Sequence, residues 1–91
     1  MMWREPNPSD EFIWWLFRNR CVVCGYAATE INEIVPRSRG KDKVLDWKNR
    51  VCMCHNCHNE YHKHGVNDGA ILLLQQTRVE FLIGIGRDAY V

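Results

Sequence analysis

Two Cys-x-x-Cys pairs are the residues of this chain whose types and spacing point most directly to chemistry. The first pair is Cys21 and Cys24, and the second pair is Cys54 and Cys57. Each Cys-x-x-Cys turn supplies two thiolates to adjacent corners of one tetrahedral ion, so two turns complete a coordination sphere. We therefore predict a structural Zn²⁺ held by four cysteines. Such a closed site leaves no coordination position for catalysis.

Five cysteines also allow two disulfides and a spare thiol. No signal peptide is visible at the N-terminus, and paired Cys-x-x-Cys motifs without export signals favour a metal over disulfides. No apolar stretch reaches the ~18 to 20 residues of a membrane span, so we expect a cytoplasmic protein without a membrane partner. The fifth cysteine, Cys52, lies in a predicted strand and is interpreted as a small buried apolar residue.

A second group of potential metal ligands directly follows the last cysteine. His58 and His62 are four residues apart, so on a helix their imidazoles lie on one face and can bind one divalent ion. His55 falls on nearly the same stripe, whereas His64 points roughly opposite. The histidine pair predicts a second metal site beside the structural zinc.

Helices and strands must position these ligands within a chain of 91 residues, which we expect to form one domain. The predicted parts are an N-terminal helix over 9–20, a zinc-stapled core over 21–64 and a C-terminal helical extension over 66–91. The N-terminal helix carries a wide apolar surface, which is either core or a partner surface.

The core contains two predicted strands and one predicted helix. The strands cover 28–35 and 49–53, and a helix follows from about 55 to 64. A last helix is expected from about 69 to 83, capped by Asp68 and broken near Thr77. The formal net charge of +1 excludes a wholesale polyanion binder, so any nucleic-acid surface must come from local clustering of charge.

The order of these motifs resembles that of the HNH endonucleases, which share the ββα-metal (His-Me finger) fold. The resemblance covers about residues 21–62 and includes the run Glu30-Ile-Asn-Glu-Ile-Val-Pro-Arg-Ser-Arg-Gly40 between the two cysteine pairs. It implies a small α+β fold with a ββα-metal core and terminal helices on either side. Compact members of this family are common in phage genomes, often near DNA-packaging genes, which implies a host-cytoplasmic nuclease with terminase proteins as partners.

The resemblance also implies roles for individual residues. Asn32 and Glu33 occupy the positions of the metal ligand and the general base, and Asn49 orients the strand that bears the base. His58 and His62 bind the catalytic divalent ion, which is Mg²⁺, Mn²⁺ or Ni²⁺. The implied reaction is hydrolysis of DNA phosphodiesters, with Glu33, Asn49 and His58 as catalytic residues.

The catalytic pair departs from the family pattern, because neither Asn32 nor Glu33 is histidine. A neutral amide oxygen is a weaker ligand than a carboxylate or an imidazole. Asn32 is a tolerated variant, a substitution that lowers activity, or a sign that another residue such as Glu30 supplies the metal ligand. Neighbouring strand residues face opposite sides, so a twist or bulge is expected if Asn32 and Glu33 meet one phosphate.

A basic loop after the first strand is expected to hold the DNA backbone without reading bases. Its residues are Arg37, Arg39, Lys41 and Lys43. The alternative to a nuclease is a four-cysteine zinc module that has lost its active pair and binds DNA or a partner protein. A generic zinc ribbon with coincidental histidines would leave the Pro-Arg-Ser-Arg-Gly loop unexplained.

Overall fold

The computed structural model describes residues 8–39 and 46–91, which form a small α+β protein, as predicted. Three helices and one two-stranded antiparallel sheet make up this part of the chain. In chain order they are α1 (Pro8–Leu16), β1 (Glu30–Glu33), β2 (Arg50–Met53), α2 (His55–His62) and α3 (Asp68–Gly84). One short 3-10 turn, Trp47–Asn49, directly precedes β2. Another, Asp88–Tyr90, follows α3.

The sheet is a regular antiparallel pair. Its register runs without interruption from Glu30 opposite Met53 to Glu33 opposite Arg50, so β1 contains no bulge. Both strands are shorter than the predicted 28–35 and 49–53. The ladder ends where the 3-10 turn begins, although the backbone N–H of Ile34 still donates to the carbonyl of Asn49 over 2.7 Å.

Helix α1 ends earlier than the predicted 9–20. Its regular part stops at Leu16, and Arg18 and Asn19 adopt left-handed backbone conformations with φ of 55° and 57°. A left-handed residue terminates a helix because the chain leaves the helical path while the last carbonyls still accept hydrogen bonds. Here the N–H of Asn19 donates to the carbonyl of Trp14 over 2.9 Å.

The core lies between α1, β2 and α3. Its fully buried side chains include Ile13 and Leu16 of α1, Phe17 directly after this helix, and Val51 of β2. Cys52 is buried with them, and its thiol donates to the carbonyl of Ile13 over 3.5 Å. Burial raises the pKa of Cys52 to about 12, so this thiol stays protonated and lies outside the four-cysteine group.

The remaining apolar surface of α1 is covered in part by the end of the chain. Phe12 contacts the rings of Trp47 and Tyr90 at centroid distances of 5.6 and 5.8 Å. Trp15 is 50% exposed, but the guanidinium of Arg87 stacks 3.7 Å from its ring centroid. The wide apolar surface of α1 therefore serves mainly as core.

The two C-terminal helices differ in detail from the prediction. Helix α2 ends at His62 instead of His64. Helix α3 is capped by Asn67, whose side chain accepts from the N–H of Ala70 over 2.8 Å, so Asp68 is the first helical residue and not the cap. The helix is unbroken at Thr77, whose hydroxyl bonds to the carbonyl of Leu73 in the preceding turn. Within the described ranges, no helix is long and apolar enough to cross a membrane.

Candidate metal centre and adjacent cleft

The two Cys-x-x-Cys turns meet at one point. The Sγ atoms of Cys21, Cys24, Cys54 and Cys57 all lie within 4.8 Å of one another. The Sγ atoms of Cys24 and Cys54 are 3.7 Å apart. Four thiolates at ~2.3 Å from one tetrahedral Zn²⁺ have their sulfur atoms about 3.8 Å apart. The four cysteines are therefore placed to hold one metal ion such as zinc.

The local backbone favours this clustering. Gly25 has a φ of +80°, which a glycine adopts at little cost, and its N–H donates to the carbonyl of Cys21 to close the first turn. Cys54 is the N-cap of α2, and its sulfur accepts from the N–H of Cys57 over 3.4 Å. The second turn is therefore also the start of the helix that carries the histidines.

The pKa values of the clustered thiols indicate that the cluster favours a bound cation. Desolvation by itself raises the pKa of Cys21, but several backbone N–H groups, including that of Cys24, together lower it to about 7. Burial and then the neighbouring cysteines raise the pKa of Cys57. Crowded thiols resist losing several protons unless a positive charge lies among them, and a divalent ion supplies that charge.

A cleft of about 380 Å³ lies on the sheet beside this cluster. Residues of β1, β2, α2 and the turn after β1 line it, and they are Ile31, Asn32, Glu33, Pro36, Arg37, Arg50, His58 and His62. The cleft therefore contains four of the residues that the sequence assigned to the catalytic site: Asn32, Glu33, His58 and His62. A larger, mostly apolar hollow between α2 and α3 contains none of them.

Asn32 and His62 face each other across the β1–α2 junction. The Oδ1 atom of Asn32 lies 3.2 Å from Nε2 of His62, and the His58 and His62 rings are 5.0 Å apart. Asn32 is only 4% exposed, and its Nδ2 has no hydrogen-bond partner among the described residues. Partial desolvation, and then the neighbouring His58, lower the pKa of His62, which favours the neutral imidazole that binds metals.

Glu30 lies two residues before Asn32, on the same face of the sheet. One of its carboxylate oxygens bonds to Nδ1 of His58, and the other lies 2.8 Å from Nδ1 of His55. Hydrogen bonds from His55 and then His58 lower the pKa of the Glu30 carboxyl. Strand alternation correctly predicts that Glu30 and Asn32 share one face of the sheet. The contact of Glu30 with His55 depends on how α2 packs on the sheet, which the sequence does not reveal.

Glu33 reaches the cleft from its edge. Strand alternation turns its side chain away from Glu30 and Asn32. It forms an ion pair with Arg37, whose Nε lies 3.3 Å from Oε1 of Glu33. Of the twist or bulge that was expected, the uninterrupted register excludes the bulge. Both Asn32 and Glu33 nevertheless line the cleft, with Glu33 as the last residue of β1.

Asn49 fixes the chain just beyond Glu33. Its Oδ1 accepts from the N–H of Val35 over 2.8 Å, and its Nδ2 donates to the carbonyl of Val35 over 3.1 Å. The side chain is 5% exposed, so these bonds are shielded from water. Asn49 thus holds the end of β1 through the backbone and does not line the cleft.

The basic residues are distributed unevenly around the cleft. Arg37 lines it, whereas Arg39 bonds to Asp68 at the start of α3. Arg50 also lines the cleft and pairs with Asp10 of α1. The predicted backbone contacts Lys41 and Lys43 lie outside the described residues.

Tyr61 ties α2 to the sheet, a contact that the sequence did not predict. Its hydroxyl donates to the carbonyl of Ile34 over 2.8 Å, and burial raises the pKa of Tyr61 to about 12. The folded state therefore favours the neutral phenol. The resulting stabilisation is complete below the ordinary pKa of about 10 and is lost as pH rises through about 12.

We expect Tyr61→Phe to reduce the free energy of unfolding by about 1 kcal/mol at neutral pH, because it removes this hydrogen bond. The difference from the wild-type chain should shrink as pH rises from about 10 towards 12. Urea unfolding of both proteins across this range measures it. Tyr26→Phe is the control, since Tyr26 is 76% exposed; a constant difference for Tyr61→Phe would contradict the assignment.

No protein-family model, curated protein or solved structure matches the chain. The resemblance to HNH endonucleases therefore stays a prediction based on the quoted motifs. Among His, Cys, Asp and Glu side chains in the described part of the chain, the four cysteines are the one group of three or more close enough to hold a metal. A second ion in the cleft would therefore take part of its coordination from other donors, such as the amide oxygen of Asn32 or water.

Proposed function

We propose that this chain is a metal-dependent endonuclease of the HNH type that hydrolyses DNA phosphodiester bonds. The observation that supports the proposal best is the cleft, in which Asn32, Glu33, His58 and His62 lie together with two arginines. These residues come from two strands, a turn and a helix. In this reading, β1, β2 and α2 form a ββα-metal core, and the four-cysteine zinc holds α2 against the sheet.

Asn32, His58 and His62 would hold the catalytic ion. Oδ1 of Asn32 accepts from Nε2 of His62 over 3.2 Å, so both atoms are close enough to face one ion if the His62 proton lies on Nδ1 instead. When bound, a divalent cation stabilises the negative charge that develops on phosphate oxygens during hydrolysis. The structural zinc has no such role, because four thiolates close its coordination.

Glu33 acts as the general base. Its carboxylate accepts a proton from a water molecule whose oxygen forms a new bond to phosphorus. The bond from phosphorus to the 3′ oxygen breaks at the same centre, which leaves a 5′-phosphate and, once the departing oxygen takes a proton, a 3′-hydroxyl. Arg37 is bound to Glu33 before substrate arrives, so an incoming phosphate competes with Glu33 for this guanidinium.

The substrate is held mainly through its phosphates. Among the described residues, Arg37 and Arg50 are the arginines that line the cleft, and a guanidinium binds phosphate oxygens through paired hydrogen bonds. Contacts to phosphate fix the position of the duplex but carry no sequence information. Binding is therefore expected to be weakly specific and to weaken with added salt.

The chemistry of Asn32 supports a second candidate, a non-catalytic zinc module that binds DNA or a protein. Asn32 brings no charge to the cleft, and its buried Nδ2 has no partner in the described part of the chain. A neutral amide lowers the affinity for a hard divalent ion relative to a carboxylate. In this case Glu33 would remain paired with Arg37 and the cleft would bind nucleic acid without cutting it.

Relaxation of supercoiled plasmid distinguishes the two candidates. Purified zinc-loaded protein is incubated with plasmid and Mg²⁺, Mn²⁺ or Ni²⁺, or without an added ion. We expect nicked or linear product that requires one of the added ions and carries a 5′-phosphate. A gel shift without cleavage in every metal would favour the zinc module and contradict the nuclease.

A further inference from the structure

We propose that Glu30 is the positioning residue of the cleft, because it holds His58 in the tautomer that keeps a lone pair on Nε2. This inference rests on the proposed nuclease function for its biological meaning, but the hydrogen bonds that carry it do not. Glu30 is outside the four-cysteine cluster, and the sequence raised it only as an alternative to Asn32 as metal ligand. In the structure both of its carboxylate oxygens contact histidine Nδ1 atoms. Its position at the start of β1 places it opposite the first turns of α2.

The carboxylate of Glu30 bridges two imidazoles. Oε1 bonds to Nδ1 of His58, and Oε2 lies 2.8 Å from Nδ1 of His55. An ionised carboxylate only accepts hydrogen bonds, so both Nδ1 atoms must carry their protons. Each ring, when neutral, then keeps its lone pair on Nε2.

The surroundings of His55 support this assignment independently. Nδ2 of Asn59, one helical turn further along α2, lies 3.1 Å from Nε2 of His55. An amide nitrogen is a donor, so Nε2 of His55 is the acceptor and Nδ1 carries the proton. Two partners on opposite sides of the ring therefore indicate the same tautomer.

For His58 the consequence concerns the cleft. Its ring lines the cleft beside Asn32 and His62, and its Nδ1 is occupied by Glu30. The lone pair on Nε2 is then available to a divalent ion. A carboxylate behind a metal-binding imidazole fixes the ring orientation and raises its basicity, and loss of such a partner typically lowers metal affinity by about 10- to 100-fold.

Glu30 also connects the cleft to the structural zinc cluster. His55 lies between Cys54 and Cys57 in the turn that supplies two thiolates. Its bond to Glu30 fixes the carboxylate from the side of the cluster, while the other oxygen contacts His58. The turn that would hold the zinc thus helps to determine where the carboxylate lies and, through it, how His58 is oriented.

The test is the tautomer of His58, measured by long-range ¹H–¹⁵N correlation spectra of zinc-loaded protein at a pH where the imidazoles are neutral. We expect the wild-type ring to carry its proton on Nδ1. Glu30→Ala should move it towards Nε2–H. Glu30→Gln keeps the shape of the side chain. It replaces the two acceptor oxygens of the carboxylate with one acceptor oxygen and one donor NH₂ group. Because Asn59 holds His55, the donor should face His58 and convert it to Nε2–H.

Glu60→Ala is the matched control. Glu60 is an exposed glutamate on α2, the helix that carries His58, and it pairs with Lys63. It should leave the His58 spectrum unchanged. An Nε2–H tautomer in the wild-type protein, or an unchanged spectrum in Glu30→Gln, would overturn the proposal. Glu30→Gln keeps the proposal testable if Glu30→Ala fails to fold.

Mn²⁺ binding followed by electron paramagnetic resonance gives the functional readout. Glu30→Gln should weaken binding by about 10- to 100-fold while the zinc content stays the same. Equal Mn²⁺ affinity in Glu30→Gln and the wild-type chain would contradict the positioning role. If the wild-type chain cuts no DNA, the nuclease proposal fails, whereas the tautomer measurement still decides the role of Glu30.

Discussion

Cys54→Ser is expected to unfold the chain at room temperature. The substitution removes one of four thiolates whose sulfurs lie within 4.8 Å of one another. It also replaces the sulfur that caps α2 by accepting from the N–H of Cys57. A serine hydroxyl still caps a helix well, so the expected loss comes from the metal and not from the cap.

A comparison of free energies explains why the loss of one zinc ligand is expected to unfold the chain. Zinc binding contributes on the order of 10 kcal/mol to the folding of small metallo-domains. The net stability of a folded domain is only about 5 to 15 kcal/mol. Loss of most of the metal contribution therefore leaves little or no stability. The apolar core, built from few large side chains, does not replace it.

Circular dichroism and elemental analysis of zinc measure this prediction. The wild-type chain should bind one zinc and unfold cooperatively, whereas Cys54→Ser should lack both zinc and a folding transition. Cys52→Ala is the matched control, because Cys52 is buried in the core outside the cluster. It should keep its zinc and lose about 1 kcal/mol. A stably folded Cys54→Ser chain without metal would show that the cluster is not the structural centre.

The sequence was informative where chemistry depends on local spacing. Three features were predictable because each follows from residue types a few positions apart. They are the Cys-x-x-Cys turns, the two strands between those turns, and the i, i+4 histidines. The two strands β1 and β2 and the helix after Cys54 match this prediction. The gathering of the four cysteines also matches it, since one ion requires both turns.

The parts that were wrong depend on how elements end and meet. Helix α1 stops because Arg18 and Asn19 adopt left-handed conformations, which neither residue type requires. Asn67 and Asp68 are both good caps, and only the observed contact with Ala70 selects Asn67. The contacts of Glu30 with His55 and of Tyr61 with Ile34 were not predicted at all. They join β1 and the residue after it to α2 across a tertiary interface, which single-sequence patterns do not encode.

His58→Ala is expected to lower plasmid nicking by at least about 100-fold if the chain is the proposed nuclease. His58 is the histidine that joins the two parts of the site, since it lines the cleft and also bonds to Glu30. Its removal takes away one of three donors for the catalytic ion. Loss of a metal ligand or of a preorganised charge-stabilising group typically costs two or more orders of magnitude in rate.

The same substitution should affect folding little. His58 is partly exposed and belongs to neither the core nor the four-cysteine cluster. Alanine has a higher helix propensity than histidine, so α2 tolerates the change. Unchanged zinc content and an unchanged melting temperature would assign the lost activity to the cleft.

His64→Ala is the matched control for the nicking assay. His64 is exposed, lies beyond the end of α2 and does not line the cleft. Both variants are purified in the same way, so a contaminating nuclease would cut equally in each preparation. Normal cleavage by His64→Ala together with the loss in His58→Ala would therefore attribute the activity to this chain. Equal cleavage by both variants would reject His58 as a metal ligand and, with it, the catalytic assignment of the cleft.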